Sequence, residues 1–220
     1  MFEKNNLKIY NGDNMELMKN YSDNYFDLAI VDPPYGIKYG RGKNAYGNTI
    51  KNMPTKKDVK WDIVPKIGYF RELKRVSKNQ IIWGGNYFTD KLSVSKCWIV
   101  WDKKGDLKLN NPFADCELAY TSFSKVVKKF TFKSMGFIKE TKDKNRIHPT
   151  QKPTELYEWL LENYADKDFK ILDTHLGSGS SAIAAYYFGC KEFVGIEIDE
   201  DYFNDSIKRI KQQTSQIKLL

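Results

Sequence analysis

Asp32-Pro33-Pro34-Tyr35 places a carboxylate, the proline carbonyls and a phenol ring in one short stretch. The preceding run, Phe26 to Val31, is apolar enough to read as a buried strand. Neither proline has an N–H to give to a sheet, so the strand stops and the chain turns out at its carboxyl end. In an open α/β sheet that end is where ligands bind. The corner suits an exocyclic amine on a flat base. Asp32 and the Pro33 carbonyl can accept its two N–H hydrogens, and Tyr35 can stack on the ring. The same residues could also do no more than end a strand, because Pro-Pro is a common loop marker.

A second group has the residue types and order of a nucleoside site. A strand over Asp168 to Leu172 leads into Asp173-Thr174-His175-Leu176-Gly177-Ser178-Gly179-Ser180-Ser181. A helix over Ala182 to Phe188, a strand over Glu192 to Ile196 and the acid Glu197 follow. Gly177 and Gly179 let a ligand approach the backbone at a helix N-terminus. Glu197 stands 20 residues after Gly177, where a carboxylate can hold both ribose hydroxyls. The pattern Gly177-x-Gly179-x-x-Ala182 also fits a dinucleotide fingerprint, and a tight turn with an incidental acid would read the same way. Two features favour S-adenosylmethionine over NAD. Asp173 and Asp13 add carboxylates that would hold an ammonium and a sulfonium but repel a pyrophosphate. The amine-accepting corner at Asp32 has no use in hydride transfer.

These corners need a sheet to bring them together. Strand patterns cover Leu7 to Tyr10, Phe26 to Val31, Gln80 to Trp83, Cys97 to Trp101 and Cys116 to Thr121. Helical spacing covers Asn14 to Asn20, Ile67 to Val76 and Asp201 to Gln213. A further helix starts at Pro153 or Thr154, with Leu156, Trp159, Leu160 and Tyr164 on its apolar face. Alternating strands and helices specify an α/β fold.

At 220 residues, 41% hydrophobic and 15% aromatic, the chain can bury a sizeable core and is not disordered. A net charge of +8 favours a polyanionic partner, although a lysine-rich surface gives the same balance. No apolar run approaches the ~20 residues of a membrane span. Met1-Phe2-Glu3-Lys4-Asn5-Asn6 lacks the apolar stretch of a signal peptide, so a cytoplasmic protein with no membrane partner is expected. Cys97, Cys116 and Cys190 are odd in number and widely spaced, and the histidines are His148 and His175 alone. Neither a disulfide framework nor a metal site is expected.

Two stretches fit no regular element. Residues 36–60 read as a long, mobile, basic loop. Its Lys38, Arg41, Lys43, Lys56 and Lys57, interleaved with tyrosines, suit phosphate contacts and base stacking, or simply a solvated excursion. Residues 103–147 read as a small recognition-type insertion, basic from Lys125 to Arg146 and interrupted by Phe130, Phe132, Met135, Phe137 and Ile138. That mixture suggests a hairpin or small lobe with one apolar side.

Three motifs carry a family resemblance. They are Asp32-Pro33-Pro34-Tyr35, then His148-Pro149-Thr150-Gln151-Lys152-Pro153, then Asp173 through Gly179 with Glu197. On these residues, in this order, the chain resembles the β-class adenine-N6 DNA methyltransferases, in which the catalytic motif precedes the cofactor motif. The resemblance spans nearly the whole chain, as a single domain over 1–220. It implies a Rossmann-like, seven-stranded, mostly parallel sheet with helices on both faces, in circularly permuted order. The chain would begin at the third strand and reach the first at Lys170 to Asp173, with Trp101 and Tyr120 on a last, antiparallel pair. It implies a catalytic set of Asp32, Pro33, Pro34 and Tyr35. The acid that contacts the cofactor adenine falls on Asp13, the methionine-side contacts on Lys152, Asp173, Gly177 and Gly179, and the ribose acid on Glu197.

Where the family has Pro-Phe, this chain has Thr174-His175. His175 either replaces the aromatic in shape beside the cofactor or is a polar core residue. The insertion is short for a target-recognition domain, so base readout is limited or a second subunit of a homodimer contributes. The activity implied is S-adenosylmethionine-dependent methylation of adenine N6 in double-stranded DNA, of the restriction-modification kind. The base is flipped out, and the methyl moves directly and in line. Cytosine-N4 methylation uses the same chemistry, but those enzymes usually carry Ser in place of the first Asp, so Asp32 favours adenine. An RNA substrate, a non-catalytic DNA-binding module and a dinucleotide oxidoreductase are the other readings.

Overall fold

A computed structural model of the chain describes residues 1–37, 62–107, 114–135, 138–140, 147–148 and 150–215. The basic residues Lys38, Arg41, Lys43, Lys56 and Lys57 lie outside the described residues. In chain order the elements begin with β1 (Phe2–Lys4), β2 (Leu7–Asn11), α1 (Asn14–Met18), β3 (Phe26–Val31), α2 (Ile67–Val76) and β4 (Ser77–Trp83). A 3-10 turn over Gly85–Tyr87 precedes β5 (Trp98–Asp102), β6 (Cys116–Thr121), β7 (Lys128–Thr131), β8 (Ser134–Met135) and β9 (Ile138–Lys139). The chain closes with α3 (Thr154–Tyr164), β10 (Lys170–Asp173), α4 (Ser180–Phe188), β11 (Glu192–Glu197) and α5 (Glu200–Ser215).

The main sheet runs in the order β1-β2-β11-β10-β3-β4-β6-β5-β7. The five strands from β2 to β4 in that order pair in parallel, and β6 is antiparallel to both β4 and β5. The sheet therefore has nine strands, not the expected seven. The seven from β2 to β5 take the expected permuted order, and the two additional strands cap its edges. At one edge β1 folds back on β2 through Asn5, which takes a left-handed φ of 51°. At the other, β7 pairs in parallel with β5. Neither edge strand has an apolar signature, because each has one free edge and is only part-covered. The lysines of β7 also discourage further strand pairing. Of the stretch 103–147, β6 and β7 are thus strands of the main sheet, and the β8–β9 hairpin forms a separate two-stranded unit.

The inner parallel strands are buried on both faces, which explains their unbroken apolar sequences. Side chains on β3 alternate between two cores. Leu28 and Ile30 pack with Leu156 and Leu160 of α3, Ile183 of α4 and Ile210 of α5. Ala29 and Val31 pack with Met18 of α1 and with Tyr69, Phe70 and Leu73 of α2. The chain leaves β10 through α4 to reach β11, and leaves β3 through α2 to reach β4, so the connections diverge between β10 and β3. A crevice opens at such a switch point, outside the strands' carboxyl ends. Among the described residues, no helix is long and apolar enough to cross a membrane.

Phe193 on β11 is 1% exposed and belongs to the core against α3, α4 and α5. Phe193→Ala should cost about 3–5 kcal/mol of stability. Urea denaturation should show a lower midpoint with an unchanged slope.

Candidate active site

The residue that ends β10, Asp173, and the residue that follows β3, Asp32, flank the switch point. One cavity there is lined by Asp32 and Pro34 from the first motif, Lys152 from the second, and His175, Gly177 and Glu197 from the third. The three motifs, the first two of them 120 residues apart between Asp32 and Lys152, meet in this crevice.

On the glycine side, backbone conformation is the constraint. Gly177 and Gly179 take left-handed φ values of 52° and 77°. A Cβ on Gly177 would meet nothing nearer than the His148 ring at 3.8 Å, so glycine is needed there for its φ rather than for space. Glu197 fixes the loop: its Oε2 accepts the Gly177 N–H at 2.8 Å and its Oε1 the Asp199 N–H at 3.0 Å. Burial nonetheless pushes the Glu197 carboxyl above its ordinary range. Asp173 is 2% exposed and accepts the Ser181 hydroxyl at 2.5 Å and the His175 N–H at 3.0 Å. Burial pushes its pKa up to about 7, against those hydrogen bonds.

His175 lines the cavity and is also woven into the fold. Asn14 Nδ2 lies 3.3 Å from its Nε2 and also donates to the Thr174 carbonyl at 3.2 Å. Nε2 is therefore the acceptor, which leaves the proton on Nδ1, facing Thr174 Oγ1 at 2.9 Å. Thr174 Oγ1 in turn lies 2.7 Å from the Tyr69 hydroxyl on α2. Burial holds the imidazole pKa down to about 4, so the ring is neutral.

On the proline side, both oxygens of the Asp32 carboxylate accept a hydrogen bond from the protein. Tyr35 donates its hydroxyl to Oδ1 at 2.5 Å, and Lys152 donates to Oδ2 at 2.5 Å. Burial pushes the Asp32 carboxyl up, against the pull of Lys152. The Tyr35 ring stacks on Tyr87, with centroids 5.0 Å apart and planes 15° from parallel. Gly84, at a φ of 66°, makes room for that ring, since a Cβ there would collide with it.

Not every residue implicated by sequence faces the cavity. Asp13 is the N-cap of α1, accepting the N–H groups of Met15 and Glu16 at 2.7 and 3.3 Å, while its neighbours Gly12 and Asn14 line the cavity. Tyr35, Asp173 and Gly179 are likewise not among the residues that line the cavity, and the half-buried Tyr35 ring stands beside it against Tyr87. Lys152 turns its ammonium to the proline corner, where it also reaches Glu117 Oε2 at 3.2 Å. Glu117, Tyr69 and Tyr87 carry no motif around them and escape sequence reasoning. An acid at the start of an otherwise mostly apolar strand pattern, at Glu117, was the available signal.

Fold and site together define a nucleoside-binding α/β enzyme with an acidic corner at the switch point. The family model described as DNA methylase matches residues 69–208, more than half of the chain. The chain belongs to this family, the S-adenosylmethionine-dependent N6/N4 DNA methyltransferases. It is 24% identical over 237 residues to the type II methyltransferase M.HpaI of Haemophilus parainfluenzae, covering 90% of this chain and 72% of that one. It is 24% identical over 273 residues to M.ScaI of Streptomyces caespitosus, covering 98% and 85%. Its fold is similar to that of M1.HpyAVI in complex with SAM, at a TM-score of 0.62 and 20% identity over 93% of this chain and 98% of that one. It is equally similar to the cytosine-N4-specific PvuII DNA methyltransferase, at a TM-score of 0.62 and 15% identity over 96% and 90%.

The buried Asp173 carboxyl makes stability depend on pH. Its folded pKa of about 7 lies above its unfolded value, so folding holds its proton while the unfolded chain releases it. Its contribution is harmless below about pH 4 and increasingly destabilising as pH rises to about 7. The melting temperature of Asp173→Asn minus that of the parent should therefore rise between those limits. A flat or falling difference, followed by circular dichroism, would contradict this origin.

Proposed function

We propose that the chain methylates adenine N6 in double-stranded DNA, with the target base flipped into the corner at Asp32. The observation that carries this reading is that the Asp32 carboxylate opens on the same cavity as Gly177 and Glu197. The cavity's donor and acceptor set fits S-adenosylmethionine. Glu197 retains lone pairs beyond the two N–H groups it accepts, enough to take ribose hydroxyls. Asp173 holds the loop from beneath by accepting the Ser181 hydroxyl and the His175 N–H, and Gly177 leaves the backbone open to the cavity. When bound, the cofactor supplies a sulfonium methyl that an amine can attack in line.

The chain's own residues prepare the amine. An adenine N6 lone pair is delocalised into its ring and attacks poorly. Asp32 and the Pro33 carbonyl would accept the two amine hydrogens, favour a tetrahedral nitrogen and localise the pair. Asp32 need not remove a proton beforehand, because the amine hydrogens become acidic only as the methyl arrives. Tyr35 would hold the base by its ring, with Tyr87 behind it as backing. Positioning and fixed charge supply most of the barrier reduction. A cytoplasmic enzyme of a restriction-modification pair is the setting this activity suits.

The carboxylate at Asp32 favours adenine, and the similarity to a cytosine-N4 enzyme keeps the second amine in the test. DNA from a methylation-free host should be incubated with the protein and labelled S-adenosylmethionine, then digested and its nucleosides separated. N6-methyladenine is the expected product, and N4-methylcytosine would reverse the base assignment. Asp32→Ala should lower the rate by roughly 10²–10³-fold or more while leaving cofactor affinity nearly unchanged. Retained activity in that variant would remove Asp32 from the reaction.

A further inference from the structure

In the arrangement the protein holds by itself, Lys152 competes with an incoming amine for Asp32. Asp32 Oδ1 accepts the Tyr35 hydroxyl and its Oδ2 the Lys152 ammonium. Each oxygen keeps a second lone pair for an amine hydrogen, but an ammonium this close to Oδ2 opposes the positive charge that the amine nitrogen gains as the methyl arrives. Lys152 is 5% exposed, so its charge cannot retreat to solvent. A buried ammonium moves only to another anion. One is within reach: Glu117 Oε2, from β6, lies 3.2 Å from Lys152 Nζ. That oxygen makes no hydrogen bond with good geometry, so it can take a closer donor. The other oxygen, Oε1, accepts Lys103 at 3.0 Å. Lys103, Glu117, Lys152 and Asp32 thus form a line of alternating charge that ends at the cavity.

We propose that Glu117 is a positioning residue that shares Lys152 with Asp32 and takes up the ammonium when the target amine reaches Asp32. The inference rests on Asp32 as the amine acceptor. In the resting protein Lys152 screens Asp32 and keeps two neighbouring carboxylates compatible. When the amine arrives, Lys152 shortens its contact with Glu117, and Asp32 Oδ2 becomes free without leaving a buried cation unpaired. The charges agree with this division. Burial works against the charge on Lys152, but Asp32 and Glu117 outweigh it and raise its pKa. Burial also opposes ionisation of Glu117, yet Lys152 and Lys103 hold its pKa below the ordinary value. The groups that face Asp32 are Tyr35, Lys152 and Glu117, with Asp173, Tyr69 and Tyr157 in electrostatic reach.

Glu117→Gln tests this, because it removes the second anion and keeps the shape. Lys152 then belongs to Asp32 alone. The titration midpoint of Asp32 in the free protein, followed by carboxyl ¹³C NMR, should fall by about one pH unit or more. Single-turnover methyl transfer to DNA from a methylation-free host should nevertheless slow by roughly tenfold or more, with cofactor affinity within about twofold of the parent. Glu117→Asp, which keeps the charge, should recover part of the rate and guards against loss of fold. In a Lys152→Met background, Glu117→Gln should add less than about a twofold change. An unmoved Asp32 midpoint, an unchanged rate, or an equal loss in the Lys152→Met background would overturn the proposal. A parent that methylates no DNA amine would overturn the assigned reaction instead, and the midpoint shift alone would then decide whether the lysine is shared.

Discussion

One buried ammonium holds the proline corner of this molecule together. Burying an ion costs several kcal/mol unless partners compensate it, and burying two like charges side by side costs more. Lys152 meets that cost for Asp32 and Glu117 at once. Each of the three comes from a different place: the turn after β3, the start of β6, and the loop before α3. The ion cluster therefore fixes the antiparallel end of the sheet to the proline turn and to the segment that leads into the cofactor half. Removing Lys152 leaves two carboxylates facing each other with their shared counter-ion gone. Stability and chemistry rest on the same contacts here.

The sheet makes that meeting possible. Parallel strands point their carboxyl ends one way, and the connections diverge between β10 and β3. Asp173 and Asp32 thus stand at the ends of neighbouring strands although the chain reaches Asp32 first. Permutation changes which loop is cut and which is joined. It leaves strand adjacency alone, and adjacency is what brings the glycine loop to the proline corner.

Thr174-His175 shows how a departure from a family pattern can be absorbed. The imidazole occupies a cavity wall, yet it is neutral and its two nitrogens are both engaged, by Asn14 and Thr174. Tyr69 extends the network onto α2. A polar ring with satisfied nitrogens can line a pocket about as quietly as an apolar one, because the cost of burying a polar atom arises when it lacks a partner.

The amino-acid sequence by itself determined the α/β class and the two motif corners, while the order of the inner strands came from the family resemblance. Apolar runs such as Phe26–Val31 admit few other structures, and double proline and left-handed glycine are local constraints that residue type alone imposes. The edge strands β1 and β7 were not legible, because a strand covered on only one side needs no apolar signature. Asp13 looked like a pocket acid from its place at a strand's end, but the N–H groups of α1 claimed its carboxylate. The partnership of Lys152 with Glu117, and the backing of Tyr35 by Tyr87, were decided by tertiary structure alone. Which buried charge or ring meets which depends on distances across the sheet, and no local pattern in the chain encodes those distances.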